Sequence, residues 1–201
     1  SDMDKSFYDK AYSATHSSNL YAGRTLFTAV DGWMDDSDAS NVDRLGHRRW
    51  QLSPALNKVG FGYVENGSGY GRFSDEKVFE RGSRSSSSVS YDSYGWPSAG
   101  YFPNDIGGFT ASTAWSVTLN PSLYNAPKAS DITVTLTRDS DQKVWTFSGR
   151  DSYAPSGSGA YFNINHDSYG VDNCIIFRPD GVTKYEGIYT AVSYTHLRAH
   201  E

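Results

Sequence analysis

The sequence predicts an α+β chain, helical near its start and built of short antiparallel strands after Trp96. Leu26, Phe27, Val30, Trp33 and Met34 recur at helical spacing, whereas beyond Trp96 the apolar period drops from 3.6 to 2. Of 201 residues, 37% are apolar, 15% aromatic and 20% charged. That is enough for a core, and the excess of Tyr, Trp, Gly and Ser leans toward β structure and an extracellular surface.

In chain order, residues 21–36 form the expected helix, with the apolar stripe turned to the core. The polar run 36–41 follows. Asp36, Asp38 and Ser40 match the first, third and fifth positions of a calcium loop, but Asn41 and His47 stand where it requires Gly and Glu. A helix-terminating loop is the better reading. Next come Gly46-His47-Arg48-Arg49-Trp50-Gln51-Leu52-Ser53-Pro54 and Lys58-Val59-Gly60-Phe61-Gly62-Tyr63-Val64, read as a tight β-hairpin with His47 at its mouth. Strand alternation would send Arg48, Arg49 and Trp50 to opposite faces, with Trp50 in the core and an arginine paired to Asp35 or Asp43.

The polar low-complexity run 81–88 reads as an exposed loop or linker. It places a domain boundary near residue 90, dividing the chain into 1–90 and 91–192. The second part contains six alternating segments, 115–120, 132–138, 143–148, 161–165, 173–178 and 188–192, separated by Gly, Pro, Asp or Ser. In Ile132-Thr133-Val134-Thr135-Leu136-Thr137 every second residue is apolar, so one face is buried and the other solvated. Six such strands at near-regular spacing suggest an immunoglobulin-like antiparallel β-sandwich. Residues 193–201 abandon the alternation and resemble translated adapter sequence, so His196 and His200 receive no functional weight despite their i, i+4 spacing.

The net charge of −5 opposes binding to nucleic acid, which depends on Lys and Arg displacing counterions. The single cysteine, Cys174, excludes an intrachain disulfide, and its apolar neighbours Ile175, Ile176 and Phe177 mark it as a buried, inert thiol. No stretch approaches the ~18 apolar residues of a membrane helix, and no signal peptide opens the sequence.

The segment Leu45 to Pro54 with Val59-Gly60-Phe61-Gly62 resembles the CAP superfamily (cysteine-rich secretory proteins, antigen 5, pathogenesis-related proteins 1), in particular its bacterial branch. Upstream, Ser17-Ser18-Asn19-Leu20-Tyr21-Ala22-Gly23 is similar to the family's Gly-Glu-Asn-Leu element, and Val30, Trp33, Asp36 and Asn41-Val42 to its Val-x-x-Trp-x-x-acid helix. The resemblance implies an N-terminally truncated α-β-α sandwich ahead of the β-sandwich. The Trp96 to Phe102 entry is similar to the extension found after many bacterial CAP domains. It also implies a secreted or surface-attached bacterial protein, with any export signal upstream of this fragment.

The family's cavity carries two histidines and two acids, and in several members the imidazoles bind zinc. By this resemblance His47 is the second histidine, Asp36 the second acid, and Ser18 stands in place of the first glutamate. His16 lies near the first histidine's place, two residues before Ser18 where the family spacing is about five. A catalytic zinc takes three protein ligands, and only His47 is an assured metal donor, with Asp36 and His16 possible, so weak or absent zinc binding is expected.

Three functions follow. The first is a non-enzymatic extracellular module that binds a cell-envelope, lipid-like or host ligand around His47. The second is a metal-assisted hydrolase or protease using His47 and Asp36, with Ser17 or Ser18 nearby but no third orienting group. The third is a carbohydrate-binding accessory protein presenting Tyr91, Tyr94, Trp96, Tyr101, Phe102 and Tyr153. The missing catalytic constellation places the first ahead. His166 reads as a turn residue.

Overall fold

Asp4 opens the first element, its carboxylate accepting from the main-chain N–H groups of Ser6 and Phe7, which satisfies donors that a helix start leaves unpaired. Helix α1, Lys5–Thr15, follows. The computed structural model describes residues 3–67, 71–79, 88–104 and 106–194; the expected linker 81–88 lies outside them but for Ser88, as do His196 and His200.

The expected 21–36 helix is shorter than its apolar stripe suggested. Strand β1, Ser18–Ala22, takes its first residues, the chain turns at Gly23 with φ of 88°, and α2 runs from Leu26 to Asp35. Ala29 and Trp33 of α2 are buried, with the Trp33 indole donating to Leu20 O at 3.1 Å. Phe27, expected in the stripe, is 86% exposed.

The hairpin expected at His47 is instead a short helix, α3, Gly46–Gln51. Leu45 enters it in a left-handed conformation, φ 49°. Helical spacing places the adjacent Arg48 and Arg49 inside together, both fully buried, where a strand would have separated them. Trp50 is half-buried, packed on Phe79 with ring centroids 4.0 Å apart. Arg48 meets Asp35 at its main-chain carbonyl, Nη2 to O 2.5 Å, and Asp43 pairs with Arg44 at 3.0 Å. Strands β2, Gly60–Glu65, and β3, Arg72–Lys77, complete a three-stranded antiparallel sheet of order β1-β3-β2.

After β4, Ser93–Trp96, all six expected strands are present. They are β5 Trp115–Leu119, β6 Thr133–Arg138, β7 Lys143–Ser148, β8 Tyr161–Asn165, β9 Cys174–Arg178 and β10 Tyr189–Tyr194. They form antiparallel sheets of order β10-β6-β7 and β4-β5-β9-β8, making the chain a mixed helical and antiparallel β protein. Val134, Leu136, Trp145 and Phe147 from the first sheet share one core with Phe162, Ile164, Ile175 and Phe177 from the second. Strand β10 runs past the expected end at 192, pairing Ser193 with Val134 and Tyr194 with Thr133, so these two residues belong to the ladder rather than to the tail.

Every residue of β9 is buried. Ile175 and Phe177 face the other sheet, while Cys174 and Ile176 pack with Ala114, Tyr161, Val42 and Leu45. Cover on both faces explains why Cys174-Ile175-Ile176-Phe177 is continuously apolar rather than alternating. Cys174 is the buried thiol its neighbours suggested.

Candidate functional site

Asp36 ends α2 in a left-handed conformation, φ 45°, which turns its carboxylate toward the start of α3. Oδ2 accepts from the main-chain N–H of His47 at 2.9 Å and of Arg48 at 3.4 Å, capping a helix that lacks a side-chain cap of its own. Oδ1 meets His47 Nδ1 at 2.8 Å. One buried carboxylate therefore fixes both the helix and the imidazole.

The environments of the partners differ. The Asp36 side chain is 2% exposed and that of His47 is 34% exposed, so the histidine keeps partial access to solvent while its Nδ1 is held by Asp36. The hydrogen bond and charge of Asp36 raise the His47 pKa above the ordinary imidazole value, against the opposing effect of burial. Burial pushes the Asp36 carboxyl up, while His47 and Arg48 pull it back. The two titrate as a unit.

A second acid lies behind them. Glu76, on β3, is buried, and its Oε2 accepts from Gln51 Nε2 at 2.6 Å and Asn19 Nδ2 at 3.2 Å. The same Asn19 amide donates to His47 O at 3.2 Å, so a polar chain runs from β3 through β1 to α3. Burial and the neighbouring charge of Asp75 push the Glu76 carboxyl up, with Gln51 and Asn19 opposing them. Sequence reasoning missed Glu76 because neither of the two acids in Arg72-Phe73-Ser74-Asp75-Glu76-Lys77 gives a sign of being internal. Gln51, one helical turn after His47 on α3, was the available hint.

The other expected site residues stand apart. His16 is exposed at the end of α1, its ring 5.4 Å from that of Tyr12. Ser18 Oγ donates to Ala14 O at 2.7 Å and Ser17 Oγ to Ser13 O at 2.8 Å, so both hydroxyls serve the end of α1 rather than His47. His166 lies exposed in the turn after β8, with Nδ1 3.1 Å from Asn173 Oδ1.

For a metal, the donor set is thin. Nδ1 of His47 and both Asp36 oxygens are committed to one another and to α3, leaving Nε2 as the one open donor of the pair. No group of three or more His, Cys, Asp or Glu side chains that could hold a metal occurs among the described residues. These residues do not fit a zinc site, which takes three or four protein ligands. In a carboxylate–histidine–metal arrangement Asp36 would orient the imidazole rather than ligate.

The sequence that bears α2, α3 and β1 matches a known family model. Residues 3–79 match the CAP model, that of the cysteine-rich secretory protein family. The CAP-like segment thus includes α1 and β3 as well as the elements bearing His47 and Asp36. No curated protein and no solved structure matches the chain. No helix among the described residues is long and apolar enough to cross a membrane.

Proposed function

We propose that this chain is a secreted or surface-attached bacterial binding module, in which a ligand engages the CAP-like segment at the His47 face and an immunoglobulin-like β unit follows as an accessory. One observation carries the reading: a buried carboxylate pins His47 while a third of its side chain remains in solvent. An imidazole held this way offers one N–H at a fixed position, suited to a phosphate, carboxylate or carbonyl acceptor on a cell-envelope, lipid-like or host molecule. The accessory reading is supported by the two antiparallel sheets that share one core.

The test is co-sedimentation of the full chain with purified bacterial cell envelope and with anionic and neutral phospholipid vesicles. Binding that falls at least about tenfold in His47→Ala, with thermal stability retained, supports the reading; the factor corresponds to loss of one charge-assisted hydrogen bond. Binding indifferent to that change overturns it.

A second reading rests on the same pair, because an imidazole oriented by a carboxylate is also half of a general-base device. Chelator-sensitive hydrolysis of a peptide or ester that is lost in His47→Ala would place it first. Zinc affinity no better than about micromolar is expected from a site with one open nitrogen, measurable by calorimetry.

A further inference from the structure

The two sheets of the β-rich part close against each other along one side and not along the other. At the closed side the terminal strands are β7 and β8; their inward-facing residues, Trp145 and Phe147 on one and Phe162 and Ile164 on the other, are all buried in the shared core. At the open side the terminal strands are β4 and β10. Residues directly opposite one another in an antiparallel pair share a face. Ala191 and Ser193 lie opposite the buried Leu136 and Val134, and Ser93 and Gly95 lie opposite Leu119 and Val117, so these four are inward-facing positions of the open side. All four are small. They leave a cleft of about 890 Å³ between the sheets, floored by Val117, Val134 and Ile175.

The floor shows what the small residues cost the core. Val117 faces inward on a strand with a neighbour on each side, yet it is only partly buried, while Ser116 and Thr118 on the opposite face are buried. That reverses the ordinary arrangement of apolar side chains in and polar ones out, and it marks a layer of side chains that the chain's described residues do not supply. Beside the cleft runs an open ladder. Strand β10 pairs with β6 along one edge, and among the described residues no strand pairs with its other edge. Tyr189–Tyr194 contains no Pro, Lys or other charged residue, the devices that ordinarily blunt an edge strand.

We propose that this cleft accepts an extended peptide strand, which pairs with the open edge of β10 and sends the side chains of alternate residues into the space left by Ala191 and Ser193. A strand supplies both things the site lacks: main-chain partners for the ladder, and side chains at a period of two for the core. An acyl chain would cover the floor but leave the ladder unpaired. The lining decides which side chains enter. It contains no Lys, Arg or His, and its one carboxylate, Glu186, is paired with Lys184 at 2.5 Å, so the inserted residues are uncharged and aliphatic, of the Val, Ile or Leu kind. Of the aromatics singled out from the sequence, Tyr94 and Phe102 line the cleft, whereas Tyr101 is fully exposed and Tyr153 packs against the cores. The cleft shares no residue with the His47 site, and the two assignments stand or fall separately.

The test is titration of the full chain with a Lys-flanked peptide of about eight residues that alternates Thr with Val or Ile, read by calorimetry and by hydrogen exchange of the β10 amides. Saturable binding at about 100 μM or tighter is expected, with exchange slowed along β10. A version of the peptide N-methylated through its centre, which cannot donate to a ladder, and a version with Ser in place of Val and Ile should each bind about tenfold or more weakly. Ser193→Phe and Ala191→Leu fill the space from the protein's side. Each should weaken binding about tenfold or more while leaving thermal stability unchanged or raised, and either serves if the other fails to fold. No saturation to about 1 mM, equal binding of either control peptide, affinity indifferent to both substitutions, or tighter binding of decanol than of the peptide would overturn the proposal.

Discussion

Arg48 Nη1 donates to the carbonyl of Ala114 at 2.7 Å, joining α3 of the CAP-like segment to the residue before β5. The same guanidinium donates from Nε to Met34 O at 2.6 Å, from Nη2 to Asp35 O at 2.5 Å, and from Nη1 to Ser116 Oγ at 3.1 Å. Burial pulls its pKa down to about 10, which leaves it charged at neutral pH. A fully buried charge is tolerated because carbonyl dipoles take the place of water.

Arg48→Met should therefore destabilise the chain by about 3–5 kcal/mol, because three buried carbonyls lose their donor at once. Chemical denaturation measures it. A loss under about 1 kcal/mol would show that water replaces the guanidinium without penalty.

Trp33→Ala should cost about 3–5 kcal/mol, the range for a buried large aromatic, and Trp50→Ala clearly less because Trp50 is only partly buried. Equal losses in denaturant titrations would contradict the burial described for the two.

His47 should titrate above an ordinary histidine. Its folded pKa lies above the unfolded value, so its stabilising contribution is complete below the unfolded pKa of 6.5 and is lost as pH rises through the folded pKa. In Asp36→Asn the His47 pKa should fall, observable by NMR of the imidazole protons. A wild-type value at or below that of a free histidine would rule out the pairing in solution.

Gly170 sits at φ 81°, and a Cβ there would lie 2.7 Å from Ser53 Cβ and 3.1 Å from Arg49 O. Gly170→Ala should cost about 1–3 kcal/mol in backbone strain, with any side-chain clash adding to it. Wild-type stability in this variant would mean that the loop after β8 has room to move away from α3.

Heating should unfold the chain in one transition rather than two. Arg49 binds Asn165 Oδ1 at 2.6 Å and Val171 O at 2.7 Å, and Thr113 Oγ1 donates to Asp35 Oδ1 at 2.6 Å, so the parts on either side of residues 80–87 hold each other. Two resolved calorimetric peaks would count against this.

The β-rich part was legible because its strands obey the period of two: Val134 and Leu136 are buried while their neighbours are not. The pairing of His47 with Asp36 was also within reach through the family resemblance. Helix α3 was not, since six residues span too few turns for a 3.6 period to emerge from Gly46-His47-Arg48-Arg49-Trp50-Gln51. Strand β3 hid for the opposite reason. Its polar Ser74 and Glu76 point inward and Phe73 outward, inverting the usual pattern, because the interior beneath that sheet is a hydrogen-bonded polar chain rather than a greasy one.

Strand β9 works as a party wall. Ile175 and Phe177 belong on one side to the core between the two sheets, and Cys174 and Ile176 on the other to the cluster holding Leu45, the residue that turns the chain into α3. Alternation along five residues thus gives two packed clusters a common partition one strand thick. Close-packed interiors yield little to changes of volume, so one strand holds the packing of the β core and that of the turn into α3 to a single position.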